Sequence, residues 1–148
     1  MARVSMSIEG LDAVSDVLAK VGPREARNLL RNTVHAVAGQ VRDEMRKRVK
    51  ETVEDTGTLR KAITAKREKM RGNQVASNIT ITHGKAVRHN AFYWHMVEYG
   101  TVKDQAQPFI TPSVEAMRPQ IPGIFTREFG AKYEQMMARK LRQAAKKK

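Results

Sequence analysis

The sequence contains no cysteine. That absence excludes a disulfide framework, a catalytic thiolate and a cysteine-ligated zinc site. The sequence also lacks an apolar run long enough to span a bilayer, and its first residues lead into no signal-peptide core. We therefore expect a soluble protein that is made in a cytoplasm and makes no contact with a membrane.

Aromatic and acidic residues are both scarce. Aromatics make up 5% of the chain, and 15 acidic residues stand against 28 basic ones, which gives a net charge of +13. Such an excess attracts polyanions, although it says little about the fold. The basic residues are concentrated in residues 42–50 and 139–148. Two interpretations stay open: a solvated helix face with a frayed basic tail, or a surface that contacts DNA or an acidic protein.

Hydrophobic periodicity predicts both strands and helices. Alternation over residues 3–9 predicts a strand, and helical spacing over residues 11–21 predicts a first amphipathic helix. A second amphipathic helix, about 45 Å long at 1.5 Å per residue, is predicted over residues 24–53. A chain of 148 residues can bury a substantial core. We expect one α+β domain over residues 1–143 and a disordered basic tail over residues 144–148.

Turn signals follow the long helix. Residues 55–58 combine turn and helix-capping chemistry, and residues 59–63 form either one helical turn or the approach to a strand. Strands over residues 65–71 and 75–83 are predicted to pair as an antiparallel hairpin, because the glycine and asparagine between them tolerate the positive φ of a tight turn.

Prolines divide the C-terminal part of the chain. Thr111 is predicted to cap a helix whose first residue is Pro112. That helix, which runs to residue 117, should break at the two prolines that follow it, since proline inside a helix removes a hydrogen bond. A final amphipathic helix is predicted over residues 123–143.

The most apolar run, residues 92–101, contains the only tryptophan and two of the three tyrosines. We predict a short helix that ends at Gly100, where glycine adopts a left-handed conformation without steric cost. Burial of its rings, Trp94 and Tyr99 above all, is expected to supply a large share of the apolar stabilisation. A mobile loop over residues 102–107 is expected next.

Glu98 places a carboxylate inside this apolar run, and burying it is costly unless it is paired. Its partner is expected to be a backbone N–H in the following turn, an arginine or a neighbouring subunit. A structural role is favoured over a catalytic one, because a lone carboxylate lacks the second titratable group that acid–base catalysis requires.

No sequence pattern indicates an enzyme or a cofactor site. His95 would share a helix face with Glu98, but a metal ion needs further ligands, and only His83 and His89 are nearby. Phosphate-binding glycine loops, dinucleotide fingerprints and nucleophile elbows are absent from the sequence. No compact helix-turn-helix pair or aromatic RNA-binding strand stands out, so charge alone permits non-specific DNA binding. We predict no catalytic activity, metal or cofactor.

Three ordered blocks carry a family resemblance: residues 56–63 (TGTLRKAI) after a long basic helix, residues 93–101 (YWHMVEYGT), and residues 107–112 (QPFITP) at the start of a helix. In order and spacing the chain resembles the head–tail joining family of long-tailed, lambda-like bacteriophages. Members of that family are named tail-completion, neck or minor tail proteins.

The resemblance implies an α+β fold in which a long N-terminal helix packs on a small antiparallel sheet, with C-terminal helices. It also implies a non-enzymatic virion protein that forms a homo-oligomeric ring, such as a hexamer, between the head connector and the tail tube. Its partners would be other connector and tail proteins, with possible contact to packaged DNA. The alternative is a basic DNA-binding accessory protein. The positions expected to serve structure or assembly are Gly57, Leu59, Trp94, Glu98, Tyr99, Gly100, Thr101, Pro108, Phe109 and Pro112.

Overall fold

The computed structural model describes residues 12–53, 57–72, 74–84 and 87–147. It confirms an α+β fold with a long N-terminal helix, a two-stranded antiparallel sheet and C-terminal helices. The strand predicted over residues 3–9 lies outside the described residues. The elements are α1 (Asp12–Lys20), α2 (Pro23–Thr52), α3 (Thr58–Ala62), β1 (Ile63–Arg67), β2 (Ser77–Ile81), α4 (Trp94–Tyr99), α5 (Ile110–Met117), a 3-10 turn (Arg118–Gln120) and α6 (Ile121–Lys146).

Helix α2 lies within one residue of its predicted bounds at each end. Pro23 occupies its first turn, where the missing N–H costs nothing. At 30 residues, α2 is about 45 Å long. One polar residue joins its buried apolar stripe: Thr33 is fully buried, and its hydroxyl donates to the Leu29 carbonyl at 2.8 Å. The apolar members of the buried stripe are Leu29, Val37, Val41, Met45 and Val49.

Helix α3 passes directly into strand β1, so the two alternatives for residues 59–63 both occur, one after the other. The predicted hairpin is confirmed, with Ile63 paired to Ile81, although its strands are shorter than predicted. The Arg46 guanidinium of α2 donates two hydrogen bonds, of 3.0 and 2.6 Å, to the Ile63 carbonyl. This contact fixes the start of β1 against the long helix.

The core consists mainly of aliphatic side chains from α2 and the hairpin, together with phenylalanines from the C-terminal part. The largest fully buried side chain is Phe109, and Phe125 stacks on Phe129 with ring centroids 6.2 Å apart. The expectation that the aromatic run at residues 92–101 forms much of the core is wrong. Tyr99 is 74% exposed, and Trp94 is only half-buried. Because α4 is a single short helix, only one of its sides can face the core.

The predicted break after α5 is confirmed. Pro119 lies in the first turn of the 3-10 segment, and Pro122 lies in the first turn of α6. Helix α6 extends beyond its predicted bounds at both ends, so residues 144–146, which were expected to be disordered, are helical. None of the helices within the ranges given above is both long enough and apolar enough to cross a membrane.

Candidate assembly surface

Helix α4 ends at Gly100, as predicted. The Gly100 N–H donates to the Met96 carbonyl at 2.8 Å, and its φ of 77° and ψ of 177° lie in a region that only glycine adopts readily. A Cβ added at Gly100 would lie 2.7 Å from the Ala106 nitrogen and 3.0 Å from the Asp104 carbonyl oxygen. Glycine is therefore required both for the backbone conformation and for the close approach of the next loop.

The loop over residues 102–107, which was expected to be mobile, forms a hydrogen-bonded turn together with Thr101. The Thr101 hydroxyl accepts from the backbone N–H groups of Lys103 and Asp104, at 3.2 and 3.0 Å. The Thr101 N–H donates to the Asp104 carbonyl, and the Gln107 N–H returns to the Val97 carbonyl at 2.8 Å. Thr101 thus organises the turn that brings the chain back to α4.

Glu98 is 4% exposed, and both its carboxylate oxygens accept hydrogen bonds from the start of α5. Oε2 accepts from the backbone N–H groups of Phe109 and Ile110, at 2.8 and 2.9 Å. Oε1 accepts from the N–H and the hydroxyl of Thr111, at 3.0 and 2.9 Å. The first N–H groups of a helix lack intrahelical acceptors and favour negative charge. Glu98 therefore caps α5 from a distant part of the chain. Of the three expected kinds of partner, backbone N–H groups are the ones found, but at the start of α5 and not in the turn that follows α4.

The predicted cap of α5 is wrong. The helix begins at Ile110, so Thr111 and Pro112 both lie in its first turn. The Thr111 hydroxyl donates to Glu98 instead of accepting from the helix backbone. A carboxylate accepts several hydrogen bonds at once and makes stronger ones than a hydroxyl, which explains why Glu98 takes the capping position.

The Glu98 cap also positions the third block, residues 107–112. The Phe109 N–H donates to Glu98, and the Phe109 ring is fully buried. Pro108, directly before it, is exposed. Two residues of the first block also have structural roles. Gly57 lies directly before α3 with a φ of 91°, and Leu59 is fully buried. The structure therefore brings the second and third blocks together through Glu98 and Phe109.

Four apolar side chains in the aromatic run, or directly after it, are exposed to solvent. Phe92 is 61% exposed and packs edge-to-face on Tyr93, with ring centroids 5.6 Å apart. Met96 and Tyr99 are three residues apart on α4, so they share a face. We call this set the α4 surface: Phe92, Met96, Tyr99 and Val102, all exposed. Clustered exposed apolar side chains mark interaction sites in soluble proteins.

Sequence reasoning selected Tyr99 but missed the other three members of the α4 surface. The available signal was spacing, because residues 92, 96 and 99 recur at helical intervals. His95 and Glu98 do not form a common site, since His95 is exposed and Glu98 is buried. In the part of the chain that the structure describes, no three histidine or acidic side chains are grouped as a metal site.

A second exposed apolar pair lies on α6. Met137 and Leu141 are four residues apart and face solvent together. The buried part of α6 lies near its start, at Ile121, Ile124, Phe125 and Phe129. At 1.5 Å per residue, Leu141 lies about 30 Å along the helix axis from Ile121. This pair is therefore at the end of α6 that is remote from α5.

Comparisons with known proteins identify the family of this chain. No curated protein and no solved structure matches the chain. A family model matches residues 12–100, which span α1 to α4 and include the first block and all of the second except Thr101. The third block lies just beyond that match. The matched residues make up more than half of the chain, which therefore belongs to the phage family described as "Bacteriophage HK97-gp10, putative tail-component".

Proposed function

We propose that this protein is a non-enzymatic structural subunit of the phage head–tail junction. In this role it assembles as a ring between the head connector and the tail tube of the virion. Membership of a phage tail-component family supports a place in the virion. The observation that carries the proposal is the α4 surface, which presents apolar side chains to solvent on a helix whose end is fixed by Glu98 and Gly100.

A rigid apolar surface suits repeated assembly. Apolar area contributes about 25 cal/mol per Å² when a partner covers it. Little of that gain is lost to ordering a segment that is already held in place. Because Glu98 connects α4 to the start of α5, the α4 surface keeps a fixed position relative to the core.

Ring closure needs two unlike surfaces on each subunit, since contacts in a ring are head-to-tail. The chain offers such a pair. One member is the α4 surface, and the other is Met137 with Leu141 at the remote end of α6. We propose that the α4 surface of one copy receives this end of α6 from the next copy.

The absence of cysteine makes a direct test possible. Tyr99→Cys/Leu141→Cys introduces one thiol on each proposed surface. Disulfides form only where Cα atoms come within about 7 Å. In assembled particles under mild oxidation, we expect a ladder of cross-linked multimers that stops at the ring size.

The matched control is Met70→Cys/Leu141→Cys, since Met70 is also an exposed apolar residue but lies outside the α4 surface. It should give no ladder. Cross-linking that is equal in both variants, or absent from Tyr99→Cys/Leu141→Cys particles, contradicts the proposed contact. Negative-stain images of particles from a phage that lacks this gene test the role itself: normal joined virions would exclude it.

A second candidate function is a DNA-binding accessory protein, which the net charge of +13 favours. Mobility-shift measurements across a salt series distinguish the two functions. Sequence-selective binding that survives physiological salt favours the accessory protein. Weak binding that is lost steeply with salt is the expected behaviour of a basic structural subunit.

A further inference from the structure

A basic groove of about 400 Å³ lies between α2 and α6, with one further side chain from β1. Four cations line it against a single carboxylate, Glu25, and four amide side chains lie among them. Phenylalanine, tyrosine and tryptophan do not occur in the lining that the described residues provide. The cations are Arg67, Lys132, Arg139 and Lys140, and the amides are Asn28, Asn32, Gln135 and Gln143.

Among the described residues, two of these four cations form ion pairs inside the protein, and two do not. Glu25 pairs with Lys140, with 3.7 Å between carboxylate oxygen and ammonium nitrogen. Lys132 lies 3.8 Å from the carboxylate of Glu128 on its own helix. Within the described ranges, neither Arg67 nor Arg139 forms an ion pair. These two guanidinium groups come from different elements and line the same groove.

His35 lines the groove and lies near several positive charges. Its Nδ1 is 2.9 Å from the Ser77 hydroxyl, and its ring lines the groove. Burial is the largest cause that lowers the pKa of His35. Nearby positive charges lower that pKa further, namely those of Arg67, Arg42, Arg31 and Lys132. Two of these cations, Arg67 and Lys132, line the groove together with His35.

We propose that this groove binds the phosphodiester backbone of DNA, without reading its sequence. Guanidinium groups recognise phosphate by paired hydrogen bonds, and neutral amides donate to phosphate oxygens as well. Lys132 and Arg139 are seven residues apart, or about 10 Å along α6. Phosphates of one duplex strand recur about every 3.4 Å along its axis, so the row of cations can follow several phosphates.

Sequence-independent binding follows from what lines the groove. Bases of single strands are recognised by stacking on aromatic side chains, and the described lining offers only the His35 ring, which is held by its hydrogen bond to Ser77. An acidic protein segment would require the same cations. The extended row of cations with interspersed amides suits a regularly charged backbone better. This inference requires no contact between copies of the chain, so it stands or fails independently of the proposed ring.

The test is fluorescence anisotropy of a random-sequence duplex with the full chain, between 50 and 200 mM salt. Arg67→Gln/Arg139→Gln removes the two groove cations that form no ion pair. Each lost phosphate contact reduces the slope of log K against log salt by about 0.9. We expect a slope shallower by about 1.8, which corresponds to roughly 60-fold weaker binding at 0.1 M salt if the affinities at 1 M salt are equal.

The matched control is Arg88→Gln/Lys103→Gln, which removes the same charge from exposed positions outside the groove. It should leave both the slope and the affinity close to those of the unmodified protein. Equal losses from the two double variants would overturn the proposal, because binding would then depend on net charge alone.

Two further readouts locate the ligand and identify its class. In NMR titrations, DNA should raise the pKa of His35, since phosphates near the ring favour its protonated form. An unchanged His35 titration contradicts binding in the groove. Poly-glutamate added at equal charge should compete poorly with the duplex. Complete displacement would instead assign the groove to an acidic protein segment.

Discussion

Glu98 and Thr111 are 13 residues apart in the chain, yet one carboxylate oxygen of Glu98 accepts hydrogen bonds from both the N–H and the hydroxyl of Thr111. The other oxygen accepts from the two preceding N–H groups. A single side chain thus caps α5 and fixes α4 beside it. All four contacts are donors, which only a carboxylate can satisfy completely.

Glu98→Gln should destabilise the fold by about 3 kcal/mol, because it removes the charge and turns an NH₂ group toward buried donors. Urea denaturation of purified protein measures this change. Glu115→Gln is the control, since Glu115 is exposed on α5, the helix that Glu98 caps, and should change stability by less than about 0.5 kcal/mol. Equal stability of the two variants would show that the cap contributes nothing.

Thr111→Val tests one bond of the same cap. It keeps the backbone N–H and removes the hydroxyl that donates to Oε1. We expect the free energy of unfolding to fall by slightly more than about 1 kcal/mol. One hydrogen bond usually contributes about that much, and a charged acceptor makes the bond stronger. In the Glu98→Gln background the substitution should cost less, and a double-mutant cycle by urea denaturation measures that coupling. Strict additivity would contradict a shared network.

Gly100→Ala should cost about 2 kcal/mol, from a backbone conformation that alanine disfavours and from contact with the Ala106 nitrogen. Gly130→Ala is the matched control within α6, where a Cβ meets open space. It should stabilise by about 0.5–1 kcal/mol through helix propensity. Melting temperatures measured side by side should therefore move in opposite directions. A shift in the same direction contradicts the assigned conformation of Gly100.

Tyr99→Ala should leave the free energy of unfolding nearly unchanged, because the ring is 74% exposed. Phe109→Ala removes a fully buried ring and should cost about 3–5 kcal/mol. Thermal or urea unfolding separates the two results. If the α4 surface is an assembly contact, Tyr99→Ala should still reduce particle assembly. Strong destabilisation by Tyr99→Ala would place its ring in the core instead.

The charge state of His35 should make stability depend on pH. Burial, followed by the neighbouring cations, lowers its pKa in the folded protein below the ordinary value of 6.5. The unfolded chain therefore takes up the proton first as pH falls below about 6.5, and the folded state loses stability in that range. His35→Gln should flatten the dependence of unfolding free energy between pH 7 and 5. His95→Gln, at an exposed position, is the control and should preserve it.

Local backbone preferences account for the features that could be predicted. The bounds of α2 followed from its apolar period and from Pro23, and the end of α4 followed from Gly100. The break at Pro119 and Pro122 followed from the missing N–H groups. Each of these depends on residues within one or two helical turns, so the sequence contains the whole cause.

Burial was harder to predict. Thr80 is buried beside Ile79 and Ile81, although alternation along β2 would place it on the opposite face. Its hydroxyl meets that of Thr64 across the sheet at 3.2 Å, which satisfies the polar group inside the fold. Such pairing depends on the register of two strands, and neither strand shows it alone.

The sequence by itself determined the long helix and the end of α4 at Gly100, because these depend on neighbouring residues in the chain. It also determined the family resemblance, and with it the α+β class, through three short blocks of residues. Only the tertiary structure decided that Glu98 caps α5, that Tyr99 faces solvent, and that α2, β1 and α6 enclose a basic groove. Those features depend on contacts between residues that are far apart in the sequence. The free energy of each contact depends on the distance between the groups and on their exposure to solvent, which only the folded structure defines.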